Sequence, residues 1–111
     1  MSLWQTICEV DALQANSGVC ALVEGQQVAV FYMPKSQSVF ALHNYDPFAK
    51  ANVLSRGIIG DLKGEPIVAS PVYKQHFNLK TGCCLEDETV KIPAYSVRID
   101  QSHVQINLDY D

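Results

Sequence analysis

Apolar and polar positions alternate in short runs along most of this chain, and turn-forming residues separate the runs. Gly18-Val19-Cys20-Ala21-Leu22-Val23 is one β-prone run, and Glu24-Gly25-Gln26-Gln27 turns it into Val28-Ala29-Val30-Phe31-Tyr32-Met33. Pro34-Lys35-Ser36-Gln37-Ser38 is a second turn, leading into Val39-Phe40-Ala41-Leu42-His43. Short β-branched and aromatic runs bounded by turn residues read as strands, so these three predict an antiparallel meander. Near the C-terminus, Tyr95-Ser96-Val97-Arg98-Ile99 and Val104-Gln105-Ile106-Asn107-Leu108 alternate with period two around Gln101-Ser102. That period buries one face and wets the other, and it predicts a hairpin. Val90-Lys91-Ile92-Pro93 predicts a further strand, with Pro93 marking an edge or a bulge because it lacks an N–H.

The middle of the chain breaks this pattern. Lys50 to Ser55 predicts a helical turn stopped at Gly57, and Gly57, Gly60, Gly64 and Pro66 then interrupt the chain every few residues. Such spacing belongs to loops. Two loops around 44–56 and 70–76, joined through this stretch, predict a small lobe over residues 44–82 inserted in the β-body. With no repeat or linker visible, 111 residues suit one domain, 1–111.

Composition narrows the class. At 48% hydrophobic and 18% charged, the chain has the makeup of an ordinary globular domain. No apolar run approaches the roughly 20 residues that span a bilayer. Met1 to Thr6 lacks a basic region followed by an apolar stretch, so a secretory signal is not expected, and a cytoplasmic location follows by default. The net charge of −4 is uneven. Residues 44–82 hold Lys50, Arg56, Lys63, Lys74 and Lys80 against Asp46, Asp61 and Glu65, while the rest holds three cations against nine acids. A basic lobe on an acidic body suits docking onto an acidic partner, although this cation density is also ordinary for a solvated surface. An acidic chain without a basic stripe is a poor candidate for nucleic acid. The cysteines Cys8, Cys20, Cys83 and Cys84 form no C-x-x-C pair, and without signs of secretion they are expected to be reduced thiols.

Two segments carry the most informative pattern: Ala41-Leu42-His43-Asn44-Tyr45-Asp46-Pro47-Phe48, and Ala69-Ser70-Pro71-Val72-Tyr73-Lys74-Gln75-His76-Phe77-Asn78-Leu79-Lys80-Thr81-Gly82. They resemble the two ligand loops of Rieske iron–sulfur domains. The first of those loops runs Ala-Leu-x-x-x-Cys-Pro-His. The second runs Cys-Pro-x-His, then an aromatic, Asp or Asn, Leu and Thr-Gly. Asp46 and Phe48 stand at the first Cys and His positions, and Ser70 and Tyr73 at the second pair. A Rieske centre needs two Cys thiolates on one iron and two His on the other, and Phe cannot ligate. The resemblance therefore implies an all-β fold: a Rieske-like antiparallel β-sandwich or barrel body, with a smaller loop-rich lobe where the cluster subdomain would be. It implies no iron–sulfur cluster. Phe48 and Tyr73 are expected to fill the cluster's space, since a cavity costs stability with its volume. Asp46 and Ser70 are expected to bond loop amides that would otherwise face cluster sulfurs.

Other chemistry is weakly signalled. His43, Asp46 and His76 offer the residue types of a two-His-one-carboxylate iron site, which would make the chain a stand-alone mononuclear metal enzyme, but no ligand spacing supports it. Gly57-Ile58-Ile59-Gly60 is not a phosphate loop. Ser70 lacks a nucleophile-elbow context. No residue of this chain is expected to be catalytic.

The resemblance narrows further. Asn44 to Phe48, Leu54 to Asp61 and Ser70 to Phe77 are similar to the small-subunit family of bacterial NAD(P)H-dependent assimilatory nitrite reductases. Cys83-Cys84 and the acidic tail 109–111 are local departures. Membership implies a large partner subunit holding FAD, the nicotinamide site, siroheme and a [4Fe–4S] cluster, which reduces nitrite to ammonia in the cytoplasm. It implies no cofactor in this chain, whose part is to bind and support the large subunit. Tyr45, Arg56, Lys74 and His76 are the candidate docking residues, with Arg56 alternatively pairing with Asp46 or Asp61 inside the lobe. Without the resemblance, the same residues describe a generic Rieske-like interaction module.

Overall fold

The computed structural model describes residues 4–108; the first three residues and the acidic tail 109–111 lie outside the described range. Eleven strands follow in chain order: β1 Gln5–Glu9, β2 Ser17–Val23, β3 Gln26–Met33, β4 Ser38–His43, β5 Tyr45–Asp46, β6 Ala51–Asn52, β7 Ile58–Leu62, β8 Glu65–Ala69, β9 His76–Asn78, β10 Ala94–Asp100 and β11 His103–Asn107. Short 3-10 turns at Val10–Ala12, Pro34–Ser36 and Leu54–Arg56 are the only helical pieces among the described residues. The fold is all-β.

Six strands form one curled antiparallel sheet in the order β1-β11-β10-β4-β3-β2. The expected meander is β2-β3-β4, and the expected C-terminal hairpin is β10-β11. The sheet stops short of closing into a barrel. The outer edges of β1 and β2 line a shared groove of about 430 Å³, and Gln5 Nε2 donates to Glu24 Oε2 at 2.6 Å across it. A three-stranded sheet β7-β8-β9 and the short pair β5-β6 make up the lobe.

Strand β3 explains how body and lobe share one sheet. Val28 and Val30 enter a core with Leu13, Val23, Ala41, Tyr95, Val104 and Ile106 inside the curl. Ala29 and Phe31, on the opposite face, enter a second core with Leu42, Leu54, Val68, Phe77, Leu79 and Ile92 beneath the lobe. Successive side chains of a strand point to opposite faces, so a strand covered on both sides reads as an unbroken apolar run. Gly18 lets the 3-10 turn Leu54–Arg56 lie directly on β2, since a Cβ there would sit 2.6 Å from the Ser55 carbonyl oxygen.

Three expectations need correction. The Gly57–Pro66 stretch is not a loop but the hairpin β7-β8, with Leu62 opposite Glu65. Its two-residue connection, Lys63-Gly64, has φ of 53° and 84°. Positive φ at both positions is what a type I′ hairpin turn requires, and Asp61 Oδ1 accepts the Gly64 N–H at 2.8 Å. Of the glycines that look like breakers, Gly64 is in the turn, Gly60 is an inner strand position, and Gly57 ends the 3-10 turn before β7. The helical turn expected over Lys50–Ser55 is instead β6 followed by the 3-10 turn Leu54–Arg56. Val90 to Pro93 is not a strand; it carries a single bridge, Cys83 to Lys91, and is held by the Ile92 N–H donating to the Gly82 carbonyl at 3.0 Å.

Candidate functional site

The two motif loops meet at their first positions. Asp46 ends β5 and is fully buried, as is Ser70 just after β8. The Ser70 hydroxyl donates to Asp46 Oδ2. Asp46 Oδ1 accepts the Phe48 N–H at 2.9 Å and the Ala49 N–H at 3.3 Å. The Asp46 carbonyl takes the Lys50 N–H at 2.7 Å, so backbone and side chain together fold Pro47–Lys50 into a tight turn. On the other loop, Ser70 Oγ accepts the Val72 N–H at 3.4 Å, and the Ser70 N–H donates to the Gln75 carbonyl at 2.9 Å. A buried carboxyl group is costly unless its lone pairs are filled, and here three donors fill them.

The second-loop frame Asn78-Leu79-Lys80-Thr81-Gly82 is a structural corner. Asn78 Oδ1 accepts the N–H groups of Lys80 and Thr81 at 2.8 and 3.2 Å. Thr81 Oγ1 accepts the Cys83 N–H at 3.2 Å. Leu79 is buried in the core below the lobe. Gly82 has φ of 79°, and a Cβ on it would meet the Ile92 carbonyl oxygen at 2.0 Å.

A match to the family described as the Rieske-like [2Fe-2S] domain spans residues 3–107. The nitrite reductase (NADH) small subunit of Salmonella typhimurium LT2 is 48% identical over 106 residues, which are 96% of this chain and 98% of that protein. The chain belongs to the Rieske-like family of nitrite reductase small subunits. A solution structure of the nitrite reductase [NAD(P)H] small subunit from Erwinia carotovora superposes with a TM-score of 0.81 at 46% identity, covering 100% of this chain and 85% of that one. The nitrite reductase [NAD(P)H] large subunit of Klebsiella oxytoca contains a region 39% identical over 103 residues, 93% of this chain but 11% of that protein.

The family's [2Fe-2S] group does not fit the side chains of this small-subunit chain. Phe48 offers no donor atom. Its ring instead packs partly buried against the core, tilted 48° to Phe77 with centroids 6.2 Å apart. The Ser70 hydroxyl and the Asp46 oxygens are committed to one another and to backbone amides. Thiolates and imidazoles are what a Rieske pair of irons takes, and neither residue type stands at these positions.

Tyr73 departs from the packing expectation. It is 61% exposed and so is not the buried filler expected, whereas Phe48 is partly buried. The reason lies in the loop: the Ser70–Gln75 hydrogen bond closes the turn below Pro71–Lys74 and leaves those four residues outside.

The trio His43, Asp46 and His76 is not assembled, and no group of three or more His, Cys, Asp or Glu suited to a metal occurs among the described residues. His43 lies near Tyr95, with Nδ1 3.5 Å from the hydroxyl, and burial pushes its pKa below the ordinary histidine range. His76 is held by Glu86, which accepts its backbone N–H at 2.8 Å and meets Nδ1 at 2.5 Å. Burial alone would raise the Glu86 carboxyl; the hydrogen bonds and charge of His76 outweigh it and hold the pKa below the ordinary glutamate range. Among the candidate docking residues, Lys74 is exposed on the second loop and Arg56 is exposed on the 3-10 turn over β2. Arg56 makes no ion pair with Asp46, Asp61 or any other described residue; Tyr45 is half-buried, its ring 6.4 Å from that of His43.

Asn44 was not singled out by sequence reasoning. It is buried; its Oδ1 accepts the Ser55 N–H at 2.7 Å and its Nδ2 donates to Gln27 Oε1 at 3.2 Å, tying the lobe to β3. A lone Asn before an aromatic carries no sequence signal for this role. All four cysteines are free thiols, with Cys8 and Cys84 pushed up in pKa by burial.

Proposed function

We propose that this chain acts as the cofactor-free small subunit of a cytoplasmic NAD(P)H-dependent nitrite reductase. It binds the large siroheme flavoprotein subunit and supports its reduction of nitrite to ammonia. The carrying observation is the Asp46–Ser70 bond. The two positions that the resemblance sets against one iron bind each other, which supports a lobe that works as a binding surface and not as a redox centre. The Klebsiella oxytoca relative supports this reading, because there a region of this kind is part of the large-subunit chain itself. FAD, siroheme and the [4Fe–4S] cluster belong to the large subunit in this scheme. The docking face is the lobe over residues 44–82, with Tyr45, Arg56, Lys74 and His76 as contributors.

The test is to tag the chain, purify it from its native cell, and assay iron, sulfide and visible absorbance in both the complex and the isolated chain. The complex is expected to carry siroheme and flavin, and the isolated chain to be colourless. Stoichiometric iron with [2Fe–2S] absorbance in the isolated, anaerobically prepared chain would overturn the cofactor-free reading. Failure to recover a siroheme flavoprotein would overturn the partner.

A further inference from the structure

The loop Pro71-Val72-Tyr73-Lys74 is exposed along its length yet closed at both ends. At its base, Ser70 is tied to Gln75, Val72 and the buried Asp46. Just beyond it, Glu86 grips the backbone and ring of His76. Between these anchors Val72 is 47% and Tyr73 61% exposed, and Leu85, whose N–H donates to the His76 carbonyl at 2.8 Å, is 41% exposed. Ile58 and Leu62 on β7 are exposed as well, so the large apolar side chains left in water gather on and beside the lobe; the body contributes Leu22 and Ile99.

We infer that Val72, Tyr73 and Leu85 form the hot spot by which this chain engages the large nitrite reductase subunit, with Lys74 meeting an acidic rim on that partner. This rests on the small-subunit reading and names its contact surface. Two physical arguments carry it. First, a preformed loop pays little ordering entropy on binding, and a tyrosine presented on one supplies apolar area, a hydroxyl and few rotatable bonds, the profile of an interface anchor. In the isolated fold Tyr73 and Val72 leave 61% and 47% of their surface in water. Second, the cation of the loop itself is unpaired: Lys74 makes no ion pair with a described residue, and neither do Lys50 and Arg56. The acids Glu86, Asp87 and Glu88 follow Leu85, and Glu86 is taken up by His76. Asp46, the acid of the first motif loop, lies buried beneath Ser70 and presents no charge to a partner. An unpaired lysine next to Tyr73 in the loop favours an acidic group opposite it on the partner and speeds encounter with it.

The experiment is calorimetric titration of the full chain into the purified large subunit at two ionic strengths, for wild type and four variants whose melting temperatures are measured alongside. Tyr73→Ala is expected to weaken binding about 30-fold or more, as a truncated anchor does. Val72→Ser is expected to weaken it about 5-fold. Lys74→Glu should act mostly at low salt. Leu22→Ser, equally apolar and exposed on β2 of the body, should bind as wild type. All four sites are exposed, so unchanged melting is expected. No binding by wild type would sink the small-subunit reading and the surface with it. Wild-type binding with Tyr73→Ala within about twofold of it would overturn the surface alone, and so would loss of affinity in Leu22→Ser without loss in Tyr73→Ala.

Discussion

The Ser70 hydroxyl donates to the Asp46 carboxyl group, and this one hydrogen bond joins two loops whose anchors are 24 positions apart. Asp46 and Ser70 are the positions that the motif resemblance sets against the two thiolates on one iron of a Rieske centre. The link between the loops here is a buried side-chain hydrogen bond.

That pair sets the first prediction. Ser70→Ala removes one donor and leaves Asp46 with its two amides, a loss of about 1.5–3 kcal/mol for a bond to an acidic group. Asp46→Ala strands the Ser70 hydroxyl and the Phe48 and Ala49 amides together, so its cost is expected to be larger, about 3–5 kcal/mol. The double variant should cost less than the two single losses added, because they break the same bond. Urea denaturation midpoints at constant slope measure all three. Strict additivity would mean that the bond contributes nothing.

Phe48 and Tyr73 should behave differently on truncation. Phe48 is partly buried against Phe77, so Phe48→Ala is expected to cost about 2–3 kcal/mol, below the full range for a buried Phe. Tyr73 is exposed, and Tyr73→Ala should stay within about 0.5 kcal/mol. Equal losses at the two sites, read from thermal or denaturant unfolding, would contradict their placement.

Gly82 and Gly25 have nearly the same φ, 79° and 80°, in very different surroundings. Gly25→Ala meets only the backbone cost of a left-handed residue, about 1–2 kcal/mol, because nothing lies within 4 Å of its Cβ. Gly82→Ala adds a collision with the Ile92 carbonyl oxygen and is expected to fold poorly or not at all. Soluble yield and melting temperature of the two variants distinguish the cases; a Gly82→Ala protein as stable as Gly25→Ala would show that the corner can yield.

Stability should depend on pH through His43. Burial lowers its folded pKa, so between that value and the unfolded value of about 6.5 the unfolded chain binds more protons. The contribution is therefore full above about pH 6.5 and is lost as pH falls through the folded pKa. His43→Gln should flatten the difference in unfolding free energy between about pH 7.5 and pH 5, with His76 and His103 common to both proteins. An unchanged slope would mean that His43 titrates alike in both states.

The motif frame of the lobe was legible because it is local. Asn78, Thr81 and Gly82 fold a corner within five residues, and a short-range motif is written in consecutive letters. Asp46 likewise caps its own turn two and three residues on. The β7-β8 hairpin was missed although Lys63-Gly64 is a two-residue turn, since Gly57 and Gly60 mask the apolar period of a short strand. Tyr73 was misplaced because its exposure depends on Gln75 and on Glu86, ten residues past His76.

The sequence by itself determined the all-β class, the meander, the final hairpin and the absence of thiolate and imidazole at the motif positions. Side-chain alternation and ligand chemistry are properties of single residues and their near neighbours. Only the tertiary structure decided that Ser70 turns its hydroxyl to Asp46, that β3 is covered on both faces, that Asn44 ties lobe to body, and that Phe48 packs while Tyr73 faces water. Each of these depends on which distant segment lies opposite. Period and propensity say which face of a strand is apolar, but burial is settled only when another layer covers that face.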